Sequence, residues 1–257
     1  MKFFLAVAAV LCLFAFGAAA QTDGPSDAEI QGRGLAQELC NGLPTASTNT
    51  GVLQIRSPQN GYSEVPVKSE IIVTATNWQS LYQAGTTNGN ATLLIVHAVG
   101  QINEYFYQTN SDEQTPNLSE VSRLGPLSHG HRLSASELTI PFAGSDFWLG
   151  DLGLEFFHWP EQKIVKKEFA RGRGCMVLES TNPNPSPIGY SRVDSWIDDE
   201  THGIVQAKAY DVDGRLLKEF YPKDFKKVNG QWELESMEID NVQTGSRTRI
   251  EFDLNKK

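Results

Sequence analysis

Five histidines are the first residues with chemistry to offer: His97, His129, His131, His158 and His202. Ser128-His129-Gly130-His131 spaces two imidazoles as metal ligands are spaced, but no third ligand stands at a recognisable separation. Two solvated loop histidines are the simpler reading, and His158, between Phe157 and Trp159, reads as a structural histidine. Carboxylates gather at Asp194, Asp198, Asp199 and Glu200. General acid–base work needs two carboxyls in one cleft with their pKa values pushed apart, and three of these four fall in a turn. Asp211-Val212-Asp213-Gly214 opens like a calcium loop, yet Arg215 and Pro222 occupy positions where such a loop needs oxygen ligands. It reads as a hairpin turn. There is no Gly-x-Ser-x-Gly elbow and no phosphate-cradling Gly-x-x-x-x-Gly-Lys loop, and Cys175 lies inside a strand pattern. Asn90-Ala-Thr and Asn117-Leu-Ser are glycosylation sequons by spacing only. The chain therefore reads as non-enzymatic, with no cofactor and no metal site.

What the chain has in surplus is aromatic surface. Phe142, Phe147, Trp148, Phe156, Phe157 and Trp159 crowd one short segment ending at Pro160. Phe147, Leu149 or Trp148, Leu152, Phe156 and Trp159 recur at roughly helical spacing, with Asp146 as N-cap, so a short amphipathic helix is expected. Two readings follow. The helix plugs the open side of a sheet as ordinary core, or it is the lid and lining of an apolar site. On the second reading the lining is Phe147, Trp148, Leu152, Phe156, Phe157 and Trp159, with Ile72, Leu94 and Tyr105 contributed by the sheet.

The elements around that segment are strands. Val52–Arg56, Val65–Val73, Ala91–Ala98 and Asn103–Gln108 precede it, with turn chemistry at Gly85–Asn90. Ile164–Ala170, Cys175–Ser180, Gly189–Ile197, Ile204–Asp211, Leu216–Tyr221, Trp232–Ile239 and Arg247–Leu254 follow it. Asp213-Gly214, Asn229-Gly230 and Thr244-Gly245 mark hairpins between them. A helix from Asp27, as its cap, to about Cys40 opens the domain, and the polar stretch 109–135 is a long loop or a short helix plus a loop. The fold class is mainly β (α+β): a curled antiparallel sheet forming a barrel or half-barrel, with two or three helices.

Composition narrows the setting. The 257 residues carry 22 Lys+Arg against 31 Asp+Glu, a formal charge of −9. Met1–Lys2, the apolar run Phe3–Phe16 and Ala18-Ala19-Ala20 form a signal peptide with cleavage expected after Ala20. Residues 21–257 are then one domain, and loss of Lys2 takes the charge from −9 to −10. An acidic exported chain lacks the clustered cations that nucleic acid demands, and no later run is long enough for a membrane helix. Cys12 leaves with the signal. Cys40 and Cys175 then form one disulfide or remain two buried thiols.

The order of five phrases carries a resemblance: Glu168–Glu179 (EFARGRGCMVLE), Ser195–Thr201 (SWIDDET), Lys208–Lys218 (KAYDVDGRLLK), Gly230–Ile239 (GQWELESMEI) and Asn241–Thr248 (NVQTGSRT). Over residues 140–254 the chain resembles the outer-membrane lipoprotein-sorting-like family, periplasmic relatives of the LolA/LolB fold. That resemblance implies an unclosed barrel whose apolar concavity is capped by helices. It implies a carrier or chaperone for lipoprotein acyl chains or another lipid, with an inner-membrane exporter or outer-membrane acceptor as partner. No position matches the motif around the basic strand residue with which such carriers hold the lid, and Arg56 is only a candidate for it. The alternative from another class is a non-catalytic structural module of an envelope complex, its concavity filled by its own side chains.

Overall fold

A computed structural model describes residues 24–74, 77–86, 89–110, 131–228 and 230–254. The expected signal segment, His129 and most of the polar loop lie outside these residues. Helix α1 (Asp27–Asn41) comes first. Its cap is Ser26, not Asp27: the Ser26 hydroxyl accepts the Glu29 amide and Glu29 Oε2 accepts the Ser26 amide at 2.7 Å. This reciprocal box satisfies two otherwise orphaned donors. Leu35 and Ala36 are buried and Leu39 packs behind them, while Ile30 on the same helix is exposed.

Thirteen strands form one antiparallel sheet among the described residues. They are β1 (Ser47–Ser57), β2 (Gly61–Val73), β3 (Asn77–Thr86), β4 (Gly89–Ala98), β5 (Glu104–Asn110) and β6 (His131–Arg132). Then follow β7 (Glu161–Ala170), β8 (Arg173–Thr181), β9 (Arg192–Asp198) and β10 (Ile204–Tyr210). The last are β11 (Leu216–Val228), β12 (Gln231–Asn241) and β13 (Ser246–Asp253). Their spatial order is β6-β5-β4-β3-β2-β1-β13-β12-β11-β10-β9-β8-β7. Two meanders are thus joined where β1 pairs with β13, Leu53 opposite Ile250. The free edges are β6 and β7. They follow one another in the chain, so residues 133–160 must cross the gap between them.

Alternation sorts each strand's side chains to two faces. Leu53, Val67, Leu93, Tyr105, Val193, Ile197, Ile239 and Ile250 point into one concave core. Leu81, Leu94 and Phe106 form a separate cluster on the opposite face, and Cys175, Val177 and Trp196 another. The exposed edge of β7 carries Lys163, Lys166 and Lys167 and an irregularity between Ile164 and Lys166, both devices that discourage pairing with another chain. The sequence pattern leaves β3 unassigned, because its inward side mixes Ser80 with Tyr82 and Ala84, and the two-residue β6 falls inside the stretch read as a polar loop. The sheet is a mainly-β, unclosed half-barrel.

α1 lies on β7 through Gly32. A Cβ there would stand 2.5 Å from the Lys163 amide nitrogen and 2.6 Å from its Cα. In a solvated helix Gly→Ala gains about 1 kcal/mol. Here the methyl must lift the helix, so Gly32→Ala is expected to cost about 1–3 kcal/mol. A urea midpoint that rises instead would mean that α1 does not sit on β7.

Candidate functional site

The segment crossing the gap is made of short turns rather than one amphipathic helix. A 3-10 turn at Ala135–Thr139 is followed by another at Phe142–Gly144. A single α turn, α2 (Leu149–Leu152), and a 3-10 turn at Glu155–His158 complete it. Leu154 breaks the helical run with φ 51°. Asp146 does not cap it. Asp151 does, its Oδ2 accepting the Trp148 amide at 2.8 Å.

Two polar anchors hold this segment in the half-barrel. The first is Lys218 on β11, whose relative exposure is 0%. Its Nζ donates to the Asp146 carbonyl at 2.7 Å and to Asp151 Oδ2 at 3.3 Å. It also lies 3.5 Å from the centroid of the Trp148 ring and 5.4 Å from that of Tyr190. Trp148 stacks on Tyr190 at 4.4 Å, and Tyr190 Oη donates to Asp151 Oδ1 at 3.0 Å. Asp146 is fixed in turn by Thr248, which donates to its Oδ2 and accepts from its amide, each at 2.9 Å. Burial lowers the Lys218 pKa to about 8 against the pull of Asp151, and burial raises that of Asp151.

The second anchor comes from β5 and its approach. Asn103 Nδ2 donates to the Gly153 carbonyl at 2.9 Å, and Tyr105 Oη donates to Glu155 Oε2 at 2.9 Å. Gly153 has no alternative, since a Cβ would stand 2.1 Å from Tyr105 Oη. Burial raises the Glu155 pKa to about 7, with the Tyr105 hydrogen bond opposing the shift. On the β7 side Gln162, oriented by Ser180 at 2.7 Å, donates to the Phe156 and Trp159 carbonyls.

Of two cavities, the segment lines only the smaller. One of about 510 Å³ is walled by Leu138, Trp148, Glu155, Phe156, Trp159 and Tyr190 and closed by the 182–189 loop. The other, of about 790 Å³, opens on the concave side beside Ile71, Tyr82, Trp232, Leu234 and Phe252.

Of the expected lining, Phe147, Trp148, Leu152, Phe156, Phe157, Trp159 and Tyr105 gather in or against the one concave core. Trp148, Phe156 and Trp159 reach the smaller cavity, whereas Phe147 and Phe157 are buried as filling. Ile72 and Leu94 do not belong to the lining. Ile72 pairs with Gln79 one register step from the inward Ile71–Ser80 pair, and Leu94 packs with Leu81 and Phe106 on the outer face. A one-residue step along a strand exchanges faces, so Ile71 and Leu93 take the inward places.

Cys40 and Cys175 are free thiols, not a disulfide. Cys40 packs against the concave core and Cys175 lies in an outer-face cluster, so the sheet separates them. Arg56 is exposed at the β1–β2 turn, 5.6 Å over the Tyr62 ring, far from the part that Lys218 plays. The carboxylates do not converge. Asp198 organises its turn through the Glu200 and Thr201 amides and Arg173, while Asp194 meets Arg192. Asp211 accepts the Asp213 and Arg215 amides, the hairpin role expected of it. His131 pairs with Glu137 at the surface, and no group of three metal-ligating side chains occurs among the described residues. Also among them, no helix is long and apolar enough to cross a membrane.

The open sheet, its two free edges and the plugged concavity define a LolA-like fold. Three solved structures share it. A DUF1329 family protein from Desulfovibrio piger is 19% identical, with 89% of this chain and 92% of that chain covered and a TM-score of 0.65. A domain described as an outer membrane lipoprotein-sorting protein, from Vibrio parahaemolyticus, is 18% identical, covering 89% and 95% at a TM-score of 0.67. A LolA superfamily protein from Nitrosomonas europaea is 16% identical, covering 89% and 92% at a TM-score of 0.55. Residues 126–256 match the model of a family described as "Uncharacterized protein", and the chain belongs to that family. No curated protein sequence matches it.

Each anchor yields a test. Lys218→Met leaves Asp151 buried without its counter-ion and is expected to cost about 3–5 kcal/mol, with Asp151→Asn added in the same chain restoring part of the loss. Losses that simply add, the double variant falling by the sum of the Lys218→Met and Asp151→Asn singles in urea unfolding, would show that the pair is not coupled. Glu155 has a folded pKa of about 7 against an ordinary 4.5, so the stability it contributes is complete below pH 4.5 and is lost as pH rises through about 7. The thermal midpoint of the native chain, minus that of Glu155→Gln, should therefore fall between pH 5 and pH 8. A difference independent of pH rules out the buried acid.

Proposed function

We propose that this chain is a non-catalytic carrier or chaperone of the periplasm. On this reading the first 20 residues direct export and are removed after Ala20, and residues 21–257 act as a single lipid-handling domain. The cargo is the acyl chain of a lipoprotein or of another lipid. The supporting observation is an aromatic-walled cavity of about 510 Å³ beneath a segment held by polar anchors. That volume is in the range of small-molecule sites, about 300–1,000 Å³. Alkyl burial supplies about 0.8 kcal/mol per CH₂. Release requires the crossing segment to part from the buried groups that anchor it. Hand-off would involve an inner-membrane exporter or an outer-membrane acceptor.

One observation favours the reading of a structural module with a self-filled core: Phe142, Phe147 and Phe157 occupy the middle of the concavity. Native mass spectrometry of protein recovered from the periplasm, with lipid extraction, separates the two. A co-purifying acyl species is expected. Leu138→Trp, which fills the smaller cavity from its wall, should lower the loaded fraction. A bare protein mass, together with failure to bind a fluorescent fatty acid, would leave the self-filled module standing.

A further inference from the structure

We propose that the β11–β12 hairpin is a docking arm that sets the mouth of the larger cavity against the surface of a lipid bilayer. The arm is defined by pairing. β10 accompanies β11 no further than Phe220, and β13 accompanies β12 only from Ser236 onward. Beyond those points β11 and β12 pair only with each other, from Phe225 opposite Leu234 to Val228 opposite Gln231. A ribbon of two strands is marginal in water, and this one extends past the sheet that supports it.

Its side chains are wrong for an arm that stays in water. Phe225 is 54% exposed and Trp232 70% exposed. Register places Phe225 opposite Leu234 and Lys227 opposite Trp232. Directly opposed residues share a face and alternate residues return to it, so Phe225, Lys227, Trp232 and Leu234 form one apolar patch with a lysine at its edge. Trp232 and Leu234, with Val228, also line the mouth of the 790 Å³ cavity. The patch and the opening therefore face the same way.

Charge selects the occupant. The chain carries −9 overall, yet residues 221–235 hold three lysines against three acids, and Phe225–Glu233 two lysines against one. From outside the arm Arg249 meets Asp224 at 2.6 Å and Glu238 meets Lys223 at 2.9 Å, while Lys226 and Glu235 face each other within it, so the arm carries no excess of either sign. An acidic protein is repelled by an anionic leaflet except where its own charge cancels. The arm is one such place, and the β7–β8 hairpin, with five cations against two acids over residues 161–173, is another, which Phe169→Ser tests. Tryptophan and lysine together suit the headgroup level, the indole at the boundary and the ammonium reaching outward. A protein partner fits less well, because a specific protein interface buries about 1,200 Å² or more and the tip of one hairpin offers little area. The proposal stands apart from the carrier reading, which native mass spectrometry tests by itself.

The test is flotation of the full chain with phosphatidylcholine vesicles, with and without phosphatidylglycerol. The native chain should float with the vesicles. Phe225→Ser with Trp232→Ser should reduce the bound fraction by about tenfold or more, as expected when the apolar anchor of an interfacial segment is removed. Phe169→Ser removes a ring that is 84% exposed at the β7–β8 turn and should change nothing. Circular dichroism and the thermal midpoint, unchanged in all three chains, show that the arm and not the fold is being read. Absence of flotation by the native chain overturns the proposal, as does equal flotation of the double variant. A dimer in sedimentation that the double variant loses, without vesicle binding, would make the arm a contact between copies.

Discussion

A buried ammonium organises the concave side. Lys218 is surrounded by Trp148, Tyr190, Asp151 and the Asp146 carbonyl, so its charge is met by an ion, a dipole and two ring faces at once. An unpaired cation in such a place would be prohibitively costly. The crossing segment must therefore be present, in this conformation, for β11 to keep its lysine inside. The dependence also runs the other way. Short turns with little helix of their own, one of them entered through the left-handed Leu154, have no intrinsic reason to stay folded and take their shape from what grips them.

The grip is asymmetric. At one end an ion pair and stacked rings hold the segment to β11 and β9-side residues; at the other, Tyr105 and Asn103 hold it by neutral or protonatable groups. As pH rises, Glu155 gives up its proton in a buried place near pH 7, before Lys218 loses its own near pH 8. On the carrier reading, this makes the Tyr105–Glu155 end the hinge of least resistance, with the smaller cavity directly behind it.

The sequence is most readable where side chains obey one rule at a time. Gly214, Gly230 and Gly245 all take positive φ at the turns that Asp-Gly, Asn-Gly and Thr-Gly signal. The fold class and the aromatic segment are legible from alternation and composition. Faces are harder: choosing Ile72 over Ile71 or Leu94 over Leu93 needs a register that only the neighbouring strands supply. The anchors were hidden for a different reason. Lys218 and Asp151 look like surface residues until they are seen to lie opposite each other across the concavity. A signal does exist for Lys218, which shares the inward alternation of Phe220, and a lysine in an inward position of a strand is unusual. Tyr105 is legible as an inward residue, but nothing local marks Asn103 as a partner of a segment fifty residues later.

The β1–β13 seam has a consequence for how the molecule comes into being. Its partners are about two hundred residues apart, Thr50 against Asp253 at one end and Arg56 against Arg247 at the other. Contacts of such separation slow folding, because loop entropy is lost before any pairing repays it. Until the last strand arrives, each meander exposes an open border of unpaired amides and carbonyls where β1 and β13 will later meet. The chain thus passes through a stage at which it is vulnerable to joining its neighbours, and a holding factor acting on the unfinished halves would protect its yield more than any change to the finished core.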